Sequence, residues 1–255
     1  MKFGLCADWE DLALLERLGY DYLEGNLSAF AYMDDEDLEE ARRLLEASSL
    51  RCEVCNCFFP SHLKLVGEEA CLPAIREYSK RALDSAAPFG LQIAVLGSGR
   101  SREVPEGFDR QRALVQLQEA LYAVGEIAAP YAVTVALEPL CAAETNLLNL
   151  VTEADALAAE LGHPNVRVLA DIYHMYCGGE DYSVIPALQK PLAHVHFCNP
   201  TARWYPKPDD TYDYSGFAAA LRASGYDGRV SIEAGCEDPE NDARDALAVM
   251  RGVFG

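Results

Sequence analysis

The chain has 255 residues and half of them are hydrophobic, which is enough to bury one large core. Asp and Glu outnumber Lys and Arg by 41 to 21, giving a formal net charge of −20, and no basic run interrupts this excess. The charge balance predicts no nucleic-acid partner, because such a surface repels a phosphate backbone unless a basic groove interrupts it.

The sequence also indicates a location. No stretch approaches the ~18 apolar residues that a membrane span needs, and Met1–Cys6 contains no apolar signal segment. We therefore predict a cytoplasmic protein with no membrane partner, in which the nine cysteines are reduced thiols. The sequence leaves open whether the chain forms a homo-oligomer.

Eight short apolar runs alternate with longer stretches that have helical periodicity. The runs predict strands over residues 2–7, 20–26, 51–58, 92–99, 132–140, 166–172, 192–198 and 229–235. The periodic stretches predict helices that include 34–48, 68–86, 108–128, 152–161, 215–224 and 238–253. For the helix over 152–161, Thr152 is the expected N-cap, with Asp155 three residues later.

The alternation predicts an α/β protein, a single (β/α)8 TIM barrel that spans residues 1–255 as one domain. The alternative is an open doubly wound sheet, which requires a glycine-rich phosphate turn after the first strand. Cys6-Ala7-Asp8-Trp9 stands there instead. The segment Leu96-Gly97-Ser98-Gly99 lacks a third glycine at the dinucleotide spacing, so it is only a weak cofactor signal.

Possible metal ligands lie near the carboxyl ends of the last four predicted strands. The residues are Glu138, Asp171, His196 with its neighbour His194, and Glu233. In a barrel these strand ends meet at one mouth, where three carboxylates and an imidazole would repel each other without a cation. An oxygen-rich set with one nitrogen suits one divalent metal ion, Mn²⁺ before Mg²⁺ or Co²⁺, whereas Zn²⁺ usually prefers more nitrogen or sulfur. Taken singly, a carboxylate at the end of a strand is more often a helix N-cap or a loop ion pair than a metal ligand.

The two histidines of the seventh predicted strand are expected to have different roles. His194 and His196 are two residues apart, so they face the same side of the strand. His196 lies nearer the carboxyl end and is the better ligand, while His194 is expected one layer deeper as a hydrogen-bonded core or supporting histidine.

The cysteine-rich third strand, Arg51 to Cys57, does not predict a thiolate metal site. Alternation places Cys55 and Cys57 on one face and Cys52 on the other, so the three thiols are not expected to converge. No fourth ligand follows at a zinc-like spacing.

Four segments in order carry a resemblance: VALEPL, LADIYHM, HVHFCNP and GYDGRVSIEAG. Together they resemble the sugar-phosphate isomerase/epimerase family with the xylose isomerase-like TIM barrel, which includes ketose 3-epimerases, hydroxypyruvate isomerase and inosose dehydratase. The resemblance covers almost the whole chain. It implies a metal-dependent isomerase or epimerase of carbohydrate metabolism acting on a ketose or related sugar, phosphorylated or not.

The resemblance also assigns roles to individual residues. It implies that Glu138, Asp171, His196 and Glu233 ligate one metal ion, and that Glu138 and Glu233 are the catalytic pair. One glutamate would remove a proton beside the carbonyl and the other would return one through an enediolate. Substrate binding is implied for His174, Glu144 and Arg203.

One departure from the family pattern bears on the substrate. Relatives carry an Asn-Arg pair where this chain has Cys141-Ala142, so a cation and an amide are missing from the mouth. Three alternatives stay open: a dehydratase of a keto-inositol or similar compound, a sugar-binding barrel without activity, and a phosphodiesterase of the apurinic-endonuclease type. The last would need a trinuclear zinc cluster and more histidines than the five present.

Overall fold

The computed structural model describes residues 1–255, and its centre is a closed barrel of eight parallel strands in the order β1 to β8. The strands are β1 Lys2–Cys6, β2 Tyr22–Asn26, β3 Cys52–Asn56, β4 Ile93–Leu96, β5 Thr134–Leu137, β6 Val166–Asp171, β7 His194–Phe197 and β8 Arg229–Ile232. β8 pairs with β1 and closes the barrel. The predicted (β/α)8 fold is confirmed.

Nine α-helices follow or connect the strands and form the outer layer. They are α1 Leu12–Leu18, α2 Leu27–Phe30, α3 Asp35–Glu46, α4 Leu72–Ala86, α5 Arg110–Ala128, α6 Val151–Leu161, α7 Ile172–Gly178, α8 Ser215–Ala223 and α9 Pro239–Phe254. The main core lies between these helices and the outward face of the strands. No helix combines the length and the apolarity needed to cross a bilayer.

A second, smaller core fills the barrel interior below the mouth. Tyr22 projects across the lumen, and its hydroxyl lies 2.7 Å from the Ser231 hydroxyl. Gly4 makes room for it, since a Cβ at that position would lie 2.3 Å from the Tyr22 ring. At the amino end of the strands, Glu53 accepts from Lys2 and pairs with Arg229. The floor of the barrel is therefore closed by packed rings and ion pairs, and only the carboxyl end is open.

The predicted elements are present, but the strands are shorter than the apolar runs that predicted them. After β5, for example, the predicted run extends to Leu140, but the strand ends at Leu137 and the backbone then turns into the loop at the mouth. The N-cap prediction at Thr152 is wrong. The helix begins at Val151 after the cap residue Leu150, and the Glu153 carboxylate accepts from the Asn149 and Leu150 amides.

The prediction that Cys52 and Cys55 lie on opposite faces is also wrong. Their sulfur atoms are 3.5 Å apart, and both are buried against the helical layer. The pairing of β2 with β3 shifts register between Leu23 and Glu24, and this irregularity breaks the strict alternation of side chains. Cys57 follows the strand with a left-handed backbone (φ 50°), so the three thiols still do not converge.

Candidate active site at the carboxyl ends of the strands

Four side chains from four consecutive strands converge at the mouth of the barrel. Glu138, Asp171, His196 and Glu233 each place one ligand-type atom within 4.8 Å of the others. From His196 Nδ1 the distances are 2.9 Å to Glu138, 3.4 Å to Glu233 and 3.7 Å to Asp171. The structure thus brings together the predicted ligand set at the ends of β5, β6, β7 and β8.

Asp171 divides its two carboxylate oxygens between a helix and the cluster. Oδ1 caps α7 by accepting from the backbone amides of Tyr173 and His174 at 2.6 and 3.1 Å. Oδ2 is buried, faces His196 and has no hydrogen-bond partner. A buried carboxylate oxygen without a partner is costly. This unpaired atom, with two further carboxylates and an imidazole nitrogen around it, fits a divalent cation of the oxygen-preferring kind.

Glu138 and Glu233 have opposite electrostatic surroundings. Burial raises the pKa of the Glu138 carboxyl, and the neighbouring Glu233 adds to the rise against the opposing effect of His196. Burial also acts to raise the pKa of Glu233, but His196 and Arg203 outweigh it and lower that pKa to about 2. Two carboxyl groups whose pKa values are pushed apart are typical of an acid and base pair.

Gly97 explains part of the glycine pattern after β4. A Cβ on Gly97 would lie 2.3 Å from Glu138 Oε2, so the carboxylate occupies the space that any other residue would fill. Gly99 similarly leaves room for the backbone oxygen of Glu144, since a Cβ at position 99 would lie 2.7 Å from that oxygen. The glycines after β4 serve the glutamates of the next strand and its loop, and not a nucleotide.

Arg102 stabilises the backbone at the carboxyl end of β5. Its side chain is fully buried, and Nη2 donates to the backbone oxygen of Glu138 at 2.7 Å. Burial lowers the pKa of this guanidinium to about 10 in spite of the nearby Glu138 and Glu144 carboxylates. The buried guanidinium of Arg102 therefore holds the backbone at Glu138 in place.

His194 lies one layer below His196, as the sequence predicted. In β7 it pairs with Leu169, whereas His196 pairs with Asp171 at the end of β6. Both imidazoles are fully buried, and each directs Nε2 toward the same carboxylate, Glu24 of β2, at 2.8 and 2.9 Å. Burial acts to raise the pKa of Glu24, but the two imidazoles outweigh it and hold the pKa far below its usual range.

The three predicted substrate-binding residues lie around the cluster. Arg203 pairs with Glu144 and approaches Glu233 Oε2 at 3.3 Å, and its guanidinium lies over the ring of Tyr173. His174 accepts the Cys141 amide at Nδ1, so Nε2 carries the proton, and this buried Nε2 has no partner. The N–H group at Nε2 of His174 is therefore a free hydrogen-bond donor at the mouth of the barrel.

The backbone of Arg203 is held in a left-handed conformation, with φ 53°. Its amide donates to the Asn199 carbonyl at 2.8 Å, and its carbonyl accepts from Gly235 at 3.0 Å, next to Glu233. Such a backbone costs about 1–3 kcal/mol in a non-glycine residue and persists only where its surroundings fix it. The loop after β7 is thereby tied to the end of β8.

A cavity of about 400 Å³ adjoins the cluster on the side of β1, β2 and β3. Asn56 lines it and donates to Glu233 Oε1 at 3.0 Å. The remaining polar lining includes the carboxylates of Asp8, Asp11 and Glu24 and the thiols of Cys6 and Cys57, and no Lys or Arg contributes. The space beside the cluster is therefore lined by both polar and apolar side chains, and none of them is cationic.

The family follows from comparison of the whole chain. Residues 12–253 match the sequence profile of the xylose isomerase-like TIM barrel. The chain belongs to this family. The resemblance carried by the four short segments is confirmed.

Two curated members of this family are similar over much of the chain. A 3-dehydro-D-guloside 4-epimerase of Escherichia coli (strain K12) is 29% identical over 188 residues, 72% of this chain and 68% of the relative. A ketose 3-epimerase of Arthrobacter globiformis is 30% identical over 169 residues, 65% of this chain and 57% of the relative. The second alignment thus spans little more than half of that relative's length.

Solved structures show the same xylose isomerase-like barrel. A D-allulose 3-epimerase from Methylomonas sp. in complex with D-allulose superposes with a TM-score of 0.86 and 21% identity, covering 100% of this chain and 97% of that one. An AP endonuclease of family 2 from Brucella melitensis gives a TM-score of 0.79 at 21% identity, with 99% of each chain covered. Members with different names share this barrel, so the fold by itself does not specify the chemistry.

The sequence analysis does not identify four residues of this candidate site: Glu24, Asn56, Gly97 and Arg102. Glu24 offered a signal, because it is an ionisable residue in an otherwise apolar run. Its partners could not be inferred, since His194 lies 170 residues later on the other side of the lumen. Gly97 belongs to a glycine pattern that is visible in the sequence, but the steric reason for it requires the position of Glu138.

Proposed function

We propose that this chain is a divalent-cation-dependent epimerase of unphosphorylated, carbonyl-bearing sugars of the ketose type. The observation that carries the proposal is the convergence of Glu138, Asp171, His196 and Glu233, with Asp171 Oδ2 buried and unpaired among them. Both curated relatives are sugar epimerases by name, which supports the same chemistry here. Mn²⁺ is the expected ion because the donor set is rich in oxygen.

When bound, the cation supplies Lewis-acid polarisation of the sugar carbonyl and its neighbouring hydroxyl. Glu138 and Glu233 move the proton. They belong to β5 and β8, the two outer strands of the row of four, so they reach a sugar lying over the cluster from different sides. One takes the proton from the carbon beside the carbonyl, and the other delivers a proton to the opposite face, which inverts that centre.

The neighbouring residues orient the sugar. His174 has one free donor, Nε2–H, which suits a sugar oxygen next to the reacting carbon. Arg203 and Glu144 form a pair at the rim that can exchange hydrogen bonds with hydroxyl groups. Asn56 holds Glu233 Oε1 and leaves Oε2 toward the cluster. Each donor is fixed before substrate arrives, which reduces the entropic cost of reaction.

The charge of the cavity beside β1–β3 favours an unphosphorylated substrate. Arg203 is already paired with two carboxylates, Arg102 is buried behind β5, and the cavity beside β1–β3 has no Lys or Arg. A phosphate group would enter a space lined by Asp8 and Glu24 without a cation to receive it. We expect a hexulose 6-phosphate to lose at least about 10²-fold in kcat/KM against the free hexulose, since an unpaired buried charge costs several kcal/mol.

The test is a proton-exchange assay. The Mn²⁺-loaded protein is incubated in D₂O with D-fructose, D-tagatose, D-allulose and a 3-keto-glucoside, and followed by NMR. We expect solvent deuterium at the carbon beside the carbonyl together with the epimer. Glu138→Gln and Glu233→Gln should abolish both signals, and Glu160→Gln, an exposed carboxylate of α6, should leave them unchanged.

Other outcomes would replace the proposal. Loss of water from a keto-inositol after exchange identifies a dehydratase, and sugar binding without exchange identifies a binding protein. Incision of an abasic-site duplex identifies a phosphodiesterase. The structure disfavours that last outcome, because His62 bonds Tyr32 and His163 bonds Glu126, so neither joins the cluster.

A further inference from the structure

Glu24 is buried directly behind His196, outside the cluster of four. The carboxylate extends from β2 across the barrel lumen and is 1% exposed. Oε1 lies 2.9 Å from His196 Nε2, and Oε2 lies 2.8 Å from His194 Nε2. Each oxygen of the carboxylate therefore meets one imidazole, and neither oxygen faces Glu138, Asp171 or Glu233.

The hydrogen bond on one side of His196 determines what the other side can do. An ionised carboxylate only accepts, so His196 donates its Nε2–H to Glu24. The remaining nitrogen, Nδ1, then points at the three carboxylates of the cluster, all within 3.7 Å. Histidine ligands in general depend on such a partner on the second ring nitrogen for their orientation.

His194 supports this arrangement from below. Its Nδ1 is buried without a partner, so Glu24 is its one polar contact in the protein. The two imidazole rings meet edge to face, with centroids 5.0 Å apart and planes at 88°. Glu24 is therefore held by both imidazoles, which also contact each other.

We propose that Glu24 is a positioning residue, which holds His196 with Nδ1 toward the cation, and that His194 acts through Glu24. The role rests on the cation site proposed above. It also gives the His-x-His pattern of β7 a physical reason, since one histidine binds the ion and the other fixes the carboxylate that orients it.

Glu24→Gln is the decisive variant because it keeps the shape and changes only the donor pattern. The amide offers one acceptor and one donor to two imidazoles that both donate. One ring must then turn or shift its proton to Nδ1. We expect the dissociation constant for Mn²⁺, measured by electron paramagnetic resonance of the free ion, to rise about 10- to 100-fold. At saturating Mn²⁺ the variant should recover most of its kcat.

Glu53→Gln is the matched control. Glu53 is also a buried glutamate of the barrel, 8% exposed, but it pairs with Lys2 and Arg229 at the opposite end of the strands. We expect a lower melting temperature and an unchanged Mn²⁺ dissociation constant. His194→Phe should weaken Mn²⁺ binding in the wild-type background and should add nothing in the Glu24→Gln background, because interacting residues are not additive.

The outcomes separate this role from the proposed function. Unchanged Mn²⁺ binding in Glu24→Gln, with the wild type binding normally, overturns the role of Glu24 alone. Equal weakening in Glu24→Gln and Glu53→Gln assigns the effect to lost stability and overturns it too. A wild type that binds no Mn²⁺ refutes the cation site, and the positioning role with it. A further loss when His194→Phe is added to Glu24→Gln refutes the link through Glu24.

Discussion

Gly97 is the position at which one methyl group perturbs the site most directly. The backbone φ of Gly97 lies outside the left-handed region, so alanine introduces no backbone strain. Its Cβ would lie 2.3 Å from Glu138 Oε2, while real Cβ contacts essentially never fall below 3.0 Å. The carboxylate must therefore retreat by the difference, 0.7 Å or more.

The expected cost of Gly97→Ala follows from that displacement. A misplacement of about 1 Å costs a catalytic group about 10²-fold in rate, which corresponds to ~2.7 kcal/mol in the barrier. Because Glu138 is also a proposed ligand, the Mn²⁺ dissociation constant should rise about 10- to 100-fold. Local overpacking should cost ~1–3 kcal/mol of stability, a fall of ~2–12 °C in melting temperature for a chain of this size.

Three measurements test the reasoning: Mn²⁺ binding by calorimetry, deuterium exchange with the best sugar, and thermal unfolding. Gly216→Ala of α8 is the control, since its Cβ would meet Tyr182 at an ordinary 3.7 Å, and alanine in a helix gains about 0.5–1 kcal/mol over glycine. In the double variant Gly97→Ala/Glu138→Asp, the shorter side chain should recover stability without recovering activity. Wild-type Mn²⁺ affinity and rate in Gly97→Ala would refute the steric account.

Three further predictions concern the ion, the rim and the floor of the barrel. Mn²⁺ at 100 times its dissociation constant should stabilise the protein by about 2.7 kcal/mol. This corresponds to a rise of ~5–11 °C in the melting temperature. In calorimetry, Asp171→Asn should remove most of this rise. Arg203→Lys should raise KM about tenfold and leave the Mn²⁺ affinity unchanged. The lysine ammonium cannot form the paired hydrogen bonds of the guanidinium, which is a loss of ~1.5 kcal/mol. A selective loss of kcat in steady-state kinetics would contradict this prediction. Gly4→Ala, whose Cβ would lie 2.3 Å from the Tyr22 ring, should lower the free energy of unfolding in urea by ~1–3 kcal/mol and leave the Mn²⁺ dissociation constant unchanged.

The barrel and its four candidate ligands could be predicted because they depend on local patterns. An apolar run in the sequence predicts each strand, and a parallel barrel brings the carboxyl ends of all its strands to one mouth. The polar residues Glu138, Asp171, His196 and Glu233 follow such runs, so their order in the chain already implied their proximity. The depth of His194 followed in the same way from the period of a strand.

What the sequence could not predict depends on contacts across the lumen or on a local irregularity. Glu24 meets two histidines that lie 170 and 172 residues away, and no periodicity relates β2 to β7. Cys52 and Cys55 share a face because the register of β2 against β3 shifts. Asp171 shows a further limit, since a helix cap and a metal ligand are alternative interpretations of a strand-end carboxylate in the sequence, whereas in the structure Oδ1 caps α7 and Oδ2 stays unpaired beside His196.

The strained backbone of the molecule is concentrated where the chemistry is proposed. Five non-glycine residues have positive φ, and four of them lie in loops that follow barrel strands: Cys57 after β3, Ser98 after β4, Leu148 after β5 and Arg203 after β7. Such conformations cost about 1–3 kcal/mol each and survive only when the surroundings fix them. The closed floor and the packed helices supply that rigidity, so the loops at the mouth can hold Arg203 against Glu144 and Glu233 before a sugar arrives. A barrel whose stability resides at the amino end of its strands can therefore carry the cost of a preorganised site at the carboxyl end.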